Sequence, residues 1–161
     1  MGGFAALVSG SEIERVDCVV SMAGANLGGL AKRAARSSSE TEGMAAHLDG
    51  WSGPIKGRSG AELVAEIAEN VDRFDTRTHA SVLGRKTVLL IAGRWDQVTP
   101  VALHHDPLVE ALEAERAVSL ESEVFENADH AFSGQRIQLT RRVTRWLETN
   151  CSPLNGQGGR H

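Results

Sequence analysis

Residues 86–100 read KTVLLIAGRWDQVTP. Val88 to Ala92 form an unbroken apolar run that stops at Gly93, and the polar loop RWDQ comes next. No alternation is visible, so both faces of this segment ask for burial. That is the pattern of a central strand in a parallel sheet. Asp96 then falls in the loop just past the strand's carboxyl end. In open parallel α/β sheets, ligands bind outside the carboxyl ends of the strands, so this stretch bears on fold and site together.

Two more segments read as strands. Residues 16–24, VDCVVSMAG, carry Val16, Cys18, Val19, Val20 and Met22. Residues 117–130, AVSLESEVFENADH, alternate, with Val118, Leu120 and Val124 on one parity and Ser119, Glu121 and Glu123 on the other. Alternation marks a half-exposed strand, expected at a sheet edge. Helices are expected over residues 2–10, closed by Ser9-Gly10, over 101–116 after Thr99-Pro100, and over 135–148. The last carries Leu139, Val143, Trp146 and Leu147 on one stripe. Strands alternating with helices imply right-handed crossovers and an α/β fold of about three parallel strands flanked by helices.

A long insert spans residues 25–83. It holds a helix near 27–36, a polar break at Ser37-Ser38-Ser39-Glu40, a glycine-rich loop containing Trp51, and an amphipathic helix over 61–74. Such an insert either caps a binding site or is a plain helical excursion. Trp51 either lines a substrate pocket or anchors a satellite cluster. Residues 150–161, poor in apolar side chains, read as a disordered tail.

Composition narrows the function. The chain has 161 residues, 41% apolar and 24% charged, and a net charge of −4. The basic residues are scattered and Tyr is absent, which argues against a nucleic-acid footprint or base-stacking platform. No run approaches the roughly 18 apolar residues of a membrane span. Cys18 and Cys151 lie far apart with no CxxC partner. They suggest neither a disulfide framework nor a zinc ribbon. Cys18 reads as a small core residue, and this cysteine usage suits a reducing cytoplasm.

The chemistry concentrates at two strand ends. Asp96 lies past the central strand and His130 past the edge strand. An aspartate accepting the Nδ1–H of a histidine fixes its tautomer and leaves Nε2 as a general base. The alternative is a pair of loop residues that cap helices.

VLLIAGRWDQVTP, then ADHAFS 34 residues on from Asp96 to His130, then a helix ending in RWL, resemble the C-terminal part of the α/β-hydrolase family. Esterase- and peptidase-like members are the most similar. In that family the triad runs Ser, Asp or Glu, His along the chain. The resemblance carries the acid to Asp96 and the histidine to His130. The opening MGGFAALVSG resembles the segment just after the serine of the family's G-x-S-x-G elbow. Met1 would be the residue after that serine, with an oxyanion-hole role for its backbone N–H, and the serine would precede it.

The expectations are then a partial hydrolase domain over 1–149, a cap-like insert over about 25–83, and acyl transfer to water on an ester or peptide substrate. No metal or organic cofactor is required. Without its nucleophile the chain is expected to be inactive. A non-catalytic fragment that self-associates through an unpaired strand edge is the alternative.

Other candidates are weaker. Ser9, Ser11, Ser21 and Ser133 lack the strained strand-to-helix turn that exposes a nucleophile, and Cys18 should be buried. His104-His105-Asp106, with or without His79, has no metal-ligand spacing and reads as a solvated helix start. His47 and His161 read as bystanders, and Asp129 as a loop hydrogen-bonding residue.

Overall fold

The computed structural model describes residues 1–50 and 57–151. In chain order the elements are α1 (Gly2–Glu12), β1 (Cys18–Met22), α2 (Leu27–Ala34), α3 (Ser38–Asp49), α4 (Gly60–Glu69), α5 (Ala80–Leu83), β2 (Thr87–Gly93), α6 (Val101–His104), α7 (Asp106–Ala114), β3 (Ser119–Phe125) and α8 (Arg136–Asn150). They fall into two compact units, Met1–Ala25 with Ala80–His161, and Asn26–His79.

The first unit is built on a parallel sheet in the order β1-β2-β3. β2 is central, and Val88 to Ala92 are all buried, as the apolar run requires. Its side chains alternate between two cores. Val88 and Leu90 join Leu7, Val19, Leu83, Leu108 and Leu112 on the face covered by α1, α5 and α7. Leu89 and Ile91 join Phe125, Phe132 and Trp146 on the face covered by α8. Each such side chain, fully removed from water, contributes about 1.5–3 kcal/mol of transfer free energy.

β3 is an edge strand, as its alternation implies. Its polar parity is not simply solvated, however. The guanidinium of Arg142 on α8 bonds Glu121 and Glu123 at 2.6 Å each. Val118 lies outside the strand and is exposed, as is Leu147 at the end of the α8 stripe.

Helix ends differ from expectation for local reasons. α1 runs through Ser9-Gly10, because Gly10 has no Cβ to strike the Val19 side chain of β1. The span 101–116 is split at His105, since Pro107 sits in the first turn of α7 and has no N–H to continue α6.

The second unit is shorter than the expected insert, because residues 80–83 pack with the first unit. It contains a helix where a polar break was expected. α3 starts at Ser38 and buries none of its residues, so it has no apolar stripe to betray it. α4 starts in a capping box in which Ser59 and Glu62 exchange backbone hydrogen bonds. The unit closes on Asp75, which is buried and accepts from Asn26 at 2.9 Å, Lys32 at 3.1 Å and Arg77 at 2.6 and 2.8 Å. Burial pushes this carboxyl up, but Arg77, Asn26 and Lys32 together hold it far below the usual carboxylate range.

The cysteines overturn the core-residue reading. Cys18 is half-buried and forms a disulfide with Cys151, Cα to Cα 5.9 Å, tying β1 to the residue after α8. The two are 133 residues apart in sequence, and only the return of α8 across the sheet brings them together. Trp51 and the tail from residue 152 lie outside the described residues. Among the described residues no helix is long and apolar enough to cross a membrane.

Candidate active site

Two loops meet beyond the carboxyl ends of β2 and β3. Backbone bonds join them: Arg94 N–H donates to Phe125 O at 3.0 Å and Trp95 N–H to Ala128 O at 2.9 Å. Gly93 makes this approach possible. A Cβ there would lie 2.5 Å from Ala128 O and 2.8 Å from Asp129 O, so any side chain would force the loops apart.

This junction brings together the two residues that the sequence singles out. His130 Nδ1 lies 2.8 Å from Asp96 Oδ2. The Asp96 side chain is fully buried, and that of His130 is 34% exposed. The other carboxylate oxygen, Oδ1, accepts from the backbone N–H of Val98 at 2.8 Å and of Thr99 at 2.7 Å. The Thr99 hydroxyl donates to Oδ2 at 2.5 Å. Burial pushes the Asp96 carboxyl up. The hydroxyl and amide of Thr99, then His130, outweigh it and hold the group below its usual range. An ionised carboxylate only accepts, so the bridging proton belongs to His130 Nδ1, and in the neutral ring that leaves the lone pair on Nε2.

Neither residue caps a helix. Pro100 is the N-cap of α6 and Gln135 that of α8, with no side-chain cap bond at either. Two non-glycine residues at positive φ flank the pair, Ala23 at 48° and Phe132 at 52°. That conformation costs an L-residue about 1–2 kcal/mol. Phe132 is held there by an edge-to-face contact with Phe125, 5.8 Å between centroids.

His130 also lines an open groove with Met1, Gly2, Gly3, Met22 and Phe132. The start of α1 therefore faces the same space as the imidazole. Gly3 permits this, since a Cβ there would meet Met22 O and the backbone of Gly24.

Ser21, Ser11, Asp129 and His79 do not join the site. The Ser21 hydroxyl is buried and donates to Gly3 O at 3.0 Å, and that of Ser11 donates to Val8 O at 2.7 Å. Asp129 Oδ1 accepts from the backbone N–H of Ala131 and Ser133, the loop role expected of it. His79 Nε2 lies 2.6 Å from Arg73 O.

His104 and His105 correct the solvated-helix reading, because both are buried. His105 Nε2 lies 2.8 Å from Ser122 Oγ, and burial pulls its pKa down. Among the described residues no cluster of His, Cys, Asp and Glu could hold a metal ion. Thr99 is a site residue that sequence reasoning missed, taking it only as a helix start. Its place in D-x-V-T-P, three residues after the aspartate, is the signal that could have found it.

No family model matches the chain, and no curated protein does. Solved structures do. Among them is the acylaminoacyl peptidase of Pyrococcus horikoshii, with a TM-score of 0.65 and 14% sequence identity. The match covers 92% of this chain and 22% of the peptidase, so this chain spans about a fifth of that protein's length. At that identity the likeness is one of architecture: three parallel strands flanked by helices make up a partial α/β-hydrolase fold.

Proposed function

We propose that this chain carries the acid and the base of a serine hydrolase. The observation that bears the reading is the buried, ionised Asp96 bonded to Nδ1 of a half-exposed His130. In the reaction, Nε2 would take the proton of a serine hydroxyl as its oxygen attacks an ester or amide carbonyl. The imidazolium, held by Asp96, would return that proton to the leaving group, and water would repeat the cycle on the acyl-enzyme. The serine would stand immediately before Met1 in a longer chain, across the groove from His130. The Met1 backbone N–H would then be one oxyanion donor. Acylaminoacyl peptides are one substrate class to try, given the architecture shared with the peptidase. Because the two thiols are paired, they no longer point to a reducing cytoplasm.

A fluorophosphonate probe tests this. The 161-residue chain should remain unlabelled. The same chain extended by the residues encoded upstream should be labelled at the residue before Met1, and His130→Gln should abolish that labelling. Stoichiometric labelling of any serine in the shorter chain would overturn the reading.

The second reading is self-association through β1. Among the described residues β1 pairs with β2 alone and offers its other margin, with Met22 exposed, to another strand. Light scattering on a chromatographed sample decides it, since a stable monomer excludes it.

A further inference from the structure

The Thr99 hydroxyl holds one proton and has three polar neighbours: Asp96 Oδ2 at 2.5 Å, His130 Nδ1 at 3.3 Å and Ala23 O at 3.4 Å. The carboxylate is the nearest and the only charged acceptor, so it takes the proton. The oxygen's lone pairs are then left for the Nδ1–H, which is shared between Asp96 and Thr99. A threonine before Pro100 is well placed to serve the next helix, yet α6 receives no side-chain cap. The hydroxyl is committed to the acid–base pair instead, and Thr99 itself is buried.

We propose that Thr99 is a positioning residue of the Asp96–His130 pair, whose hydroxyl holds the carboxylate ionised and keeps the imidazole in its Nδ1–H tautomer. This deepens the hydrolase reading and rests on it for its purpose. Three donors from this one short loop, the Val98 and Thr99 amides and the Thr99 hydroxyl, orient the carboxylate before His130 is counted. With its charge shared among them, Asp96 binds the Nδ1 proton without taking it over, and Nε2 stays free to accept. His130 is the ionisable side chain bonded to Asp96. Asp129, the nearest carboxylate in sequence to His130, is turned into its own loop.

The test is spectroscopic and needs no activity, so it can fail while the hydrolase reading stands, and the reverse. The Asp96 carboxyl carbon and the His130 ring nitrogens are followed by NMR in the unmodified chain, in Thr99→Val and in Thr99→Ser. In Thr99→Val the proton affinity of Asp96 should rise by about tenfold, and the ring nitrogens should move from one tautomer towards an average of two. Thr99→Ser, which restores only the hydroxyl, should return both. An unchanged Asp96 titration and tautomer in a folded Thr99→Val, or a serine variant that behaves like the valine one, would overturn the proposal. If Thr99→Val does not fold, the unmodified chain decides. A slowly exchanging Thr99 hydroxyl proton with a cross-peak to the His130 Nδ1–H supports the proposal, and its absence overturns it.

Discussion

Two aspartates are buried among the described residues, and they are stabilised by opposite means. Asp75, in the insert, is met by two permanent cations and an amide, from Arg77, Lys32 and Asn26. Asp96, beside the sheet, is met by two backbone amides, one hydroxyl and an imidazole. Both are held as carboxylates below their usual range. Guanidinium and ammonium groups cannot give up their protons near neutral pH, so the Asp75 cluster is inert and joins Asn26 to the 75–77 segment. An imidazole can. Neutral donors stabilise Asp96 without supplying a fixed positive charge, and the one partner that can change its charge is the half-exposed histidine. The difference separates a carboxylate that holds the chain together from one that can serve a reaction.

The largest test of this contrast concerns the unit that carries Asp96. Reducing the Cys18–Cys151 bond frees the end of α8 and should cost about 2–4 kcal/mol in urea unfolding. Amide exchange in the insert should stay unchanged. A loss of protection around Asp75 would mean that the two units are not independent.

Next, Asp75→Ala removes the carboxylate bonded by the buried Asn26 amide, by Arg77 and by Lys32, which keeps its ion pair with Asp72 at 2.8 Å. Lys32 and Arg77 are partly exposed and can rehydrate, so about 2–3 kcal/mol is expected, below the roughly 3–5 typical of a fully buried pair. Exchange in α2 and in the 70–79 segment should report it. A smaller loss than that of an ordinary surface substitution would dissolve the contrast.

Acid should then separate the two groups. Each has a folded-state value below the ~3.9 of an unfolded aspartate. Each therefore contributes stability that is present above that value and is lost as pH falls through the folded-state one. Asp75, between two cations, is displaced further, so carboxyl titration by NMR should find Asp96 protonated first as pH falls. The reverse order would break the comparison.

The smallest effect is expected at the imidazole. His130→Gln should change stability by less than about 1 kcal/mol, while removing any labelling of an extended, serine-bearing chain. A large loss of stability would make the histidine structural, like Asp75.

The central strand was legible because burial on both faces leaves an unbroken apolar run, and β3 because its residues alternate up to Val124, although its burial does not: Phe125, on the parity of Glu121 and Glu123, is its one buried residue. The two loops came with those strands, since a parallel sheet puts every carboxyl end on one side. α3 was not legible, because a helix that buries nothing carries no stripe. The exposure of Leu147 and the burial of His104 and His105 depended on neighbours that periodicity does not name.

Local pattern by itself determined the three strands, their parallel order of use and the two strand-end residues Asp96 and His130. These rest on side-chain period and on the handedness of crossovers. Only the tertiary structure decided what lies across a long loop. It paired Cys18 with Cys151, set Asn26 on Asp75, and turned the Thr99 hydroxyl from the helix it precedes to the carboxylate three residues before it. Hydrogen bonds and disulfides act over a few ångströms in space, and sequence separation carries little information about which groups will come that close.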